Sequence, residues 1–111
     1  QAQTLAARLC AARQGFDEVV SHLLGLDKSD MPDAFGAGVP YLMLAGNLVS
    51  GWQMARSFLA AEAALARGED PEFMAAKIAT ARFYADHILC DAEVQRARCV
   101  DGGDSLRAAL F

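Results

Sequence analysis

The alternation of apolar and polar positions divides the chain into helical stretches separated by short breaks. Leu5, Leu9, Ala12, Phe16, Val19, Leu23 and Leu26 follow one another at intervals of 4, 3, 4, 3, 4 and 3, the recurrence that lines one face of an α-helix. Gly15 falls in this segment and costs about 1 kcal/mol relative to alanine, but the stripe passes through it. The pattern predicts one helix over about residues 3–25. On its polar face Arg13 and Asp17, then Glu18 and His22, stand four apart, the spacing of solvated pairs within a helix.

Periodicity fails from Gly25 to Val39, where Gly25, Pro32, Gly36, Gly38 and four charged residues crowd together. That composition predicts a loop, and with no nucleophile, base or phosphate cradle in it the expectation is a mobile one. The chain then turns apolar. From Pro40 to Arg67 it reads PYLMLAGNLVSGWQMARSFLAAEAALAR, and no charge stands between Asp33 and Arg56. Pro40 suits a first helical turn and Gly68 the position just past an end, which predicts a second helix over 40–67. A helix apolar on nearly its whole circumference must be covered on nearly all sides. Gly46, Ser50 and Gly51 make a notch where another backbone can approach, while Asn47 and Gln53 need polar partners inside the bundle or at an interface.

Asp70 as N-cap, Pro71 at the first position and Glu72 near the positive end of the dipole open a third helix. Met74, Ile78, Ala81, Ala85, Ile88 and Ala92 form its inner stripe, flanked by Phe73, Tyr84 and Leu89, and predict helix over 71–100. Asp101, Gly102 and Gly103 end it. Asp104 or Ser105 can then cap a short helix over 104–110, whose Leu106, Leu110 and Phe111 can dock on the bundle. The short connection after Gly68 makes the second and third helices antiparallel neighbours. The expected fold is all-α: an antiparallel bundle of three long helices plus a short C-terminal helix, one domain over 1–111.

Composition adds a partner to this picture. Hydrophobic residues make up 54% of the chain against 22% charged, so some apolar surface is expected to be covered by something else. The net charge of −4 argues against attraction to phosphate backbones, and no nucleic-acid partner is expected. The uncharged stretch is long enough for a bilayer. Pro40, the polar Asn47, Ser50 and Gln53, and the lack of a basic flank argue against a membrane span. Cys10, Cys90 and Cys99 form no CxxC pair and are odd in number, which reads as reduced thiols in a cytoplasmic protein. No signal-peptide pattern opens the chain, and helix-like sequence from Gln1 onward suggests the interior of a longer protein.

Candidate chemistry is sparse. His87, Cys90 and Asp91 share one helical face, but a zinc site needs a further ligand from elsewhere, and the simpler reading is a helix-surface cluster without metal. No HExxH, GxGxxG, P-loop or GxSxG occurs, and no catalytic residue is assigned. Phe83 and Tyr84 reach opposite sides of their helix, as core or subunit-packing aromatics do. The interface candidates are Asn47, Trp52, Gln53, Phe83 and Tyr84.

YLMLAGNLVSGWQMARSFLAAEAAL, FMAAKIATARFYADHIL and the closing GGDSLRAALF resemble the C-terminal helical domain of a subset of bacterial acyl-CoA dehydrogenases, the group that includes the methylthiopropionyl-CoA dehydrogenases. The resemblance lies in a Tyr-led apolar helix with a central Gly51-Trp52. It continues through a helix carrying Lys77, Ala81, Phe83 and Tyr84, and ends on a small-residue tail closing near Phe111. It covers about residues 40–111 by motif and the first helix by periodicity alone. Where that family has Leu-Pro, this chain has Leu89-Cys90-Asp91, so the third helix is expected to run on without a break. The resemblance implies a parent enzyme that uses FAD to remove two hydrogens across the α and β carbons of an acyl-CoA and passes electrons to an electron-transfer flavoprotein. The family's catalytic glutamate and its FAD and CoA contacts belong to the main dehydrogenase domain. This segment is then expected to hold no cofactor and to pack against that body and a second subunit. The other reading of the residues is a stand-alone helical interaction domain.

Overall fold

In the computed structural model, which describes residues 2–110 apart from the side chain of Leu110, the spine is one long helix, α2 (Met31–Ala66). Around it lie α1 (Ala2–Leu24), α3 (Pro71–His87), α4 (Ala92–Asp101) and α5 (Gly103–Leu110), and the described residues contain no strand. At 1.5 Å per residue the 36 residues of α2 span about 54 Å, which sets the longest dimension of the molecule, 61 Å. The radius of gyration of 17.7 Å exceeds the roughly 13 Å of a compact chain of this size, so the bundle is a rod.

Three rods make up the bundle: α1, α2, and α3 continued by α4. Phe16 stacks on Tyr41 with ring centroids 5.5 Å apart, while Leu9 lies against Gly51, so α1 runs opposite to α2. Tyr84 meets Asn47 and Cys99 meets Ala37, so the third rod also opposes α2. Each rod buries a seam that recurs every seven residues: Leu5, Ala12 and Val19; Ala37, Leu44, Gly51 and Phe58; Ala85, Ala92 and Cys99. That interval is the one through which helices wind gently around a shared core.

Two expected boundaries are corrected. The second helix starts at Met31, so residues 31–39 are not loop and Pro40 lies inside α2. The reason is local capping followed by tertiary contact. Asp27 accepts from the Ser29 N–H at 2.9 Å while Asp30 accepts from the Asp27 N–H at 3.2 Å, a reciprocal cap that winds a single 3₁₀ turn, Lys28–Asp30, directly into the helix. Pro32 then occupies the first turn, where no N–H is needed. Gly36 and Gly38 each cost about 1 kcal/mol in a helix and Pro40 about 3. Against that cost, Ala37 is fully buried, Leu106 of α5 sits on Gly36, and Asp33 pairs with Arg107.

The third helix does not run unbroken to residue 100. α3 ends at His87, a 3₁₀ turn spans Leu89–Asp91, and α4 begins at Ala92, so a break occurs without a proline. Ile88 leaves helical geometry at φ −120°, and the tighter turn drives Leu89 into the core, where it is 1% exposed. Asp70 holds the N-cap position of α3 but makes no capping bond with its side chain. Glu18 pairs with Arg96 across the bundle, at 3.2 Å, and not with His22 in its own helix. Arg96 lies along α1 because its side chain packs directly over Gly15. α5 begins at Gly103, so Asp104 and Ser105 lie within its first turn. Of the tail residues expected to dock, Leu106 does so, while the Leu110 side chain and Phe111 lie outside the described residues.

Candidate functional site

α2 lies along both other rods and carries the internal polar junction together with most of the exposed large apolar side chains among the described residues. Beside the break in the third rod, the Asn47 side-chain amide donates to Oε1 of Gln95 at 3.2 Å, and the Tyr84 hydroxyl donates to the Asn47 carbonyl at 3.0 Å. Gln95 is the single buried polar side chain among the described residues, and the bond to Asn47 is what makes its burial tolerable. Sequence reasoning missed Gln95 because only apolar positions were followed along the third helix. The signal was its spacing, three after Ala92 and four before Cys99.

The five residues singled out from sequence therefore separate. Asn47 and Tyr84 spend their hydrogen-bonding groups on each other and on Gln95, inside the chain. Trp52, Gln53 and Phe83 are exposed. The Arg56 guanidinium lies 5.2 Å from the Trp52 ring centre, and the Phe83 ring lies tilted against His87 with centroids 4.5 Å apart. Trp52 also closes one end of an open groove of about 420 Å³ between α1 and α2, lined by Leu9, Cys10, Arg13, Leu48 and Val49.

From this groove an apolar surface continues along the outer side of α2 toward its N-terminus. Phe35 is 78% exposed, Val39 72%, Leu42 68% and Val49 57%. Met31 and Met43 border them, also exposed. A contiguous apolar patch this long is unusual on a free-standing soluble domain. Phe35 and Val39 missed the sequence-based selection because they fell in the segment read as loop, and Leu42 and Val49 because their helix was expected to be covered on nearly all sides.

Titration is perturbed at surface pairs, at the Asp27 turn and at one thiol. The Glu93 carboxyl is held below the usual range, first by its hydrogen bond from Arg96. Burial pushes the Cys99 thiol up. Its weak bond to the Ala37 carbonyl, at 3.8 Å, keeps it facing the core. Among the described residues no three His, Cys, Asp or Glu side chains gather as metal ligands, so His87, Cys90 and Asp91 do not combine. No described helix is long and apolar enough to cross a membrane.

Comparison with known proteins places this geometry. Residues 1–109 match the family described as acetyl-CoA dehydrogenase C-terminal like. Over 108 residues the chain is 47% identical to a 3-methylmercaptopropionyl-CoA dehydrogenase of Ruegeria pomeroyi, covering 97% of this chain and 18% of that protein. No solved structure matches. A helical bundle matched almost end to end by that family, and spanning under a fifth of a dehydrogenase, belongs to the acetyl-CoA dehydrogenase C-terminal like family.

Proposed function

We propose that this domain is a packing module of an FAD-dependent acyl-CoA dehydrogenase, holding the dehydrogenase body and a neighbouring subunit in place while contributing no catalytic residue. In this reading the parent chain removes two hydrogens across the α and β carbons of an acyl-CoA. It passes the electrons to an electron-transfer flavoprotein and works in the cytoplasm. One observation carries the reading: the uncovered apolar side of α2, from Phe35 to Val49, on a chain of this family. An exposed surface of that kind loses stability and solubility unless a protein surface covers it.

The flavin itself belongs in the body on this account. The groove between α1 and α2 does not fit a flavin dinucleotide, because its lining residues lie in the middle of their helices. Main-chain N–H groups there are already bonded, whereas a pyrophosphate is held by the free N–H groups of a helix start or a glycine-rich turn. Arg13 is its one cation.

The test is deletion of residues 1–111 from the full-length parent, followed by measurement of oligomeric state, flavin content and turnover. The expected outcome is a changed assembly with a loss of bound flavin or of turnover. An enzyme unchanged in all three would contradict the proposal.

A further inference from the structure

The outer side of α2 carries a seam of its own. Phe35, Leu42 and Val49 recur every seven residues with Val39 and Gly46 between them, so the exposed face repeats at intervals of 4, 3, 4 and 3. This is the spacing by which one helix packs along another. It lies opposite the buried seam of Ala37, Leu44, Gly51 and Phe58. Neither Gly38 nor Gly46 has any atom within 4 Å of where a Cβ would stand, so the face is open along its length.

We infer that this face binds the same face of a second copy of the chain, the two α2 helices lying antiparallel about a two-fold axis between Val39 and Leu42. The inference rests on the packing-module reading and names the occupant of one surface. Self-complementarity is the reason to choose a second copy. About that axis Phe35 projects over the partner's Gly46, and Val39 meets the partner's Leu42, and the two-fold repeats both contacts. The bulkiest side chain of the seam thus meets its one gap. A two-fold contact also sets charges near the axis close to their own images, which is costly unless that part of the patch is uncharged. The stretch between Asp33 and Arg56 carries no charge at all. The exposed side chains of this face offer an apolar surface that adds to the roughly 800 Å² each partner contributes to a stable interface.

The experiment places the photoreactive residue p-benzoylphenylalanine at position 42 of the full-length parent, irradiates the assembled protein and maps the cross-linked peptides. The expected result is a species of twice the chain mass, joining residue 42 to the segment 35–46 of another chain. A companion variant, Val39→Glu, is expected to lower the yield of that species at least tenfold while leaving the fold intact, since Val39 is 72% exposed. A cross-link from residue 42 to a segment of the dehydrogenase body overturns the second-copy inference and leaves the packing-module reading standing. Absence of any cross-link, or an undiminished yield in the Val39→Glu protein, overturns it too.

Discussion

The hydroxyl of Tyr84 donates a hydrogen bond to the main-chain carbonyl of Asn47 at 3.0 Å, joining α3 to the middle of α2 across 37 residues of sequence. The side chain of the same Asn47 bonds Gln95 beyond the break. One residue of α2 thus fixes both segments of the third rod. Tyr84→Phe removes one bond and is expected to lower stability by about 1 kcal/mol. Asn47→Leu leaves the buried Gln95 unsatisfied and is expected to cost about 1–3 kcal/mol. The double variant with Gln95→Leu should lose less than the two single changes added together, because the second change removes the orphaned group. Urea unfolding of the parent sequence, the three single variants and the double variant, read at constant m-value, checks the order.

Two glycines of α2 should respond to alanine with opposite sign. A Cβ on Gly46 meets nothing within 4 Å, so Gly46→Ala is expected to raise the stability of the isolated domain by up to about 1 kcal/mol through helix propensity. On Gly51 the Cβ would stand 3.0 Å from Cδ1 of Leu89 and 3.4 Å from Cδ1 of Leu9. Leu89 is locked in the core and cannot give way. Overpacking of about 1–3 kcal/mol then outweighs the propensity gain, and Gly51→Ala should unfold at lower temperature than the parent sequence.

The turn between α2 and α3 holds a strained residue. Gly68 closes α2 with φ +73° and bonds the Leu65 carbonyl at 2.9 Å, while the Glu69 N–H bonds that of Ala64 at 3.0 Å, the usual glycine-terminated helix end. Asp70 follows with φ +37°, the one non-glycine residue at positive φ among those described. Its side chain caps nothing. Asp70→Gly should therefore raise stability by about 0.5 kcal/mol, and Asp70→Val should lower it by at least about 1 kcal/mol. Guanidinium melts of the three proteins are expected to rank Gly above Asp above Val.

Acid should remove the Glu93–Arg96 contribution within α4. Arg96 holds Glu93 at 2.7 Å and Glu18 at 3.2 Å. The Glu93 carboxyl lies below its ordinary value, chiefly through the Arg96 hydrogen bond. A carboxylate whose folded pKa is depressed contributes fully above the unfolded value, roughly 4.3 for glutamate, and loses that contribution as pH falls through the folded value. The effect is thus present at neutral pH and disappears in acid. Carboxyl NMR titration should show Glu93 titrating low in the parent sequence and returning to the ordinary range in Arg96→Ala.

Much of the bundle was legible in the pattern of side chains, and its failures share a cause. The seven-residue seam through Leu5, Ala12 and Val19 is visible without coordinates, because burial on one face imposes the period. The start of α2 was not, since Gly36, Gly38 and Pro40 all oppose a helix locally. They are overruled by Ala37 in the core and by Arg107 and Leu106, some seventy residues downstream. The break at Ile88 was hidden for the converse reason: no glycine or proline marks it, and the demand comes from seating Leu89 under α2. The outer face of α2 was legible only as excess hydrophobicity. Which side it occupies depends on where the other two rods lie.

Solvent footprinting tests that outer face most directly. Hydroxyl-radical labelling of Phe35, Leu42 and Met43 in the isolated domain, diluted until it is monomeric so that all three are exposed, is compared with labelling of the same residues in the full-length parent. The account predicts a several-fold loss of reactivity at these positions in the full-length protein, with the solvent-facing Ala76 and Thr80 of α3 as reference. Equal labelling of Phe35, Leu42 and Met43 in both would contradict it.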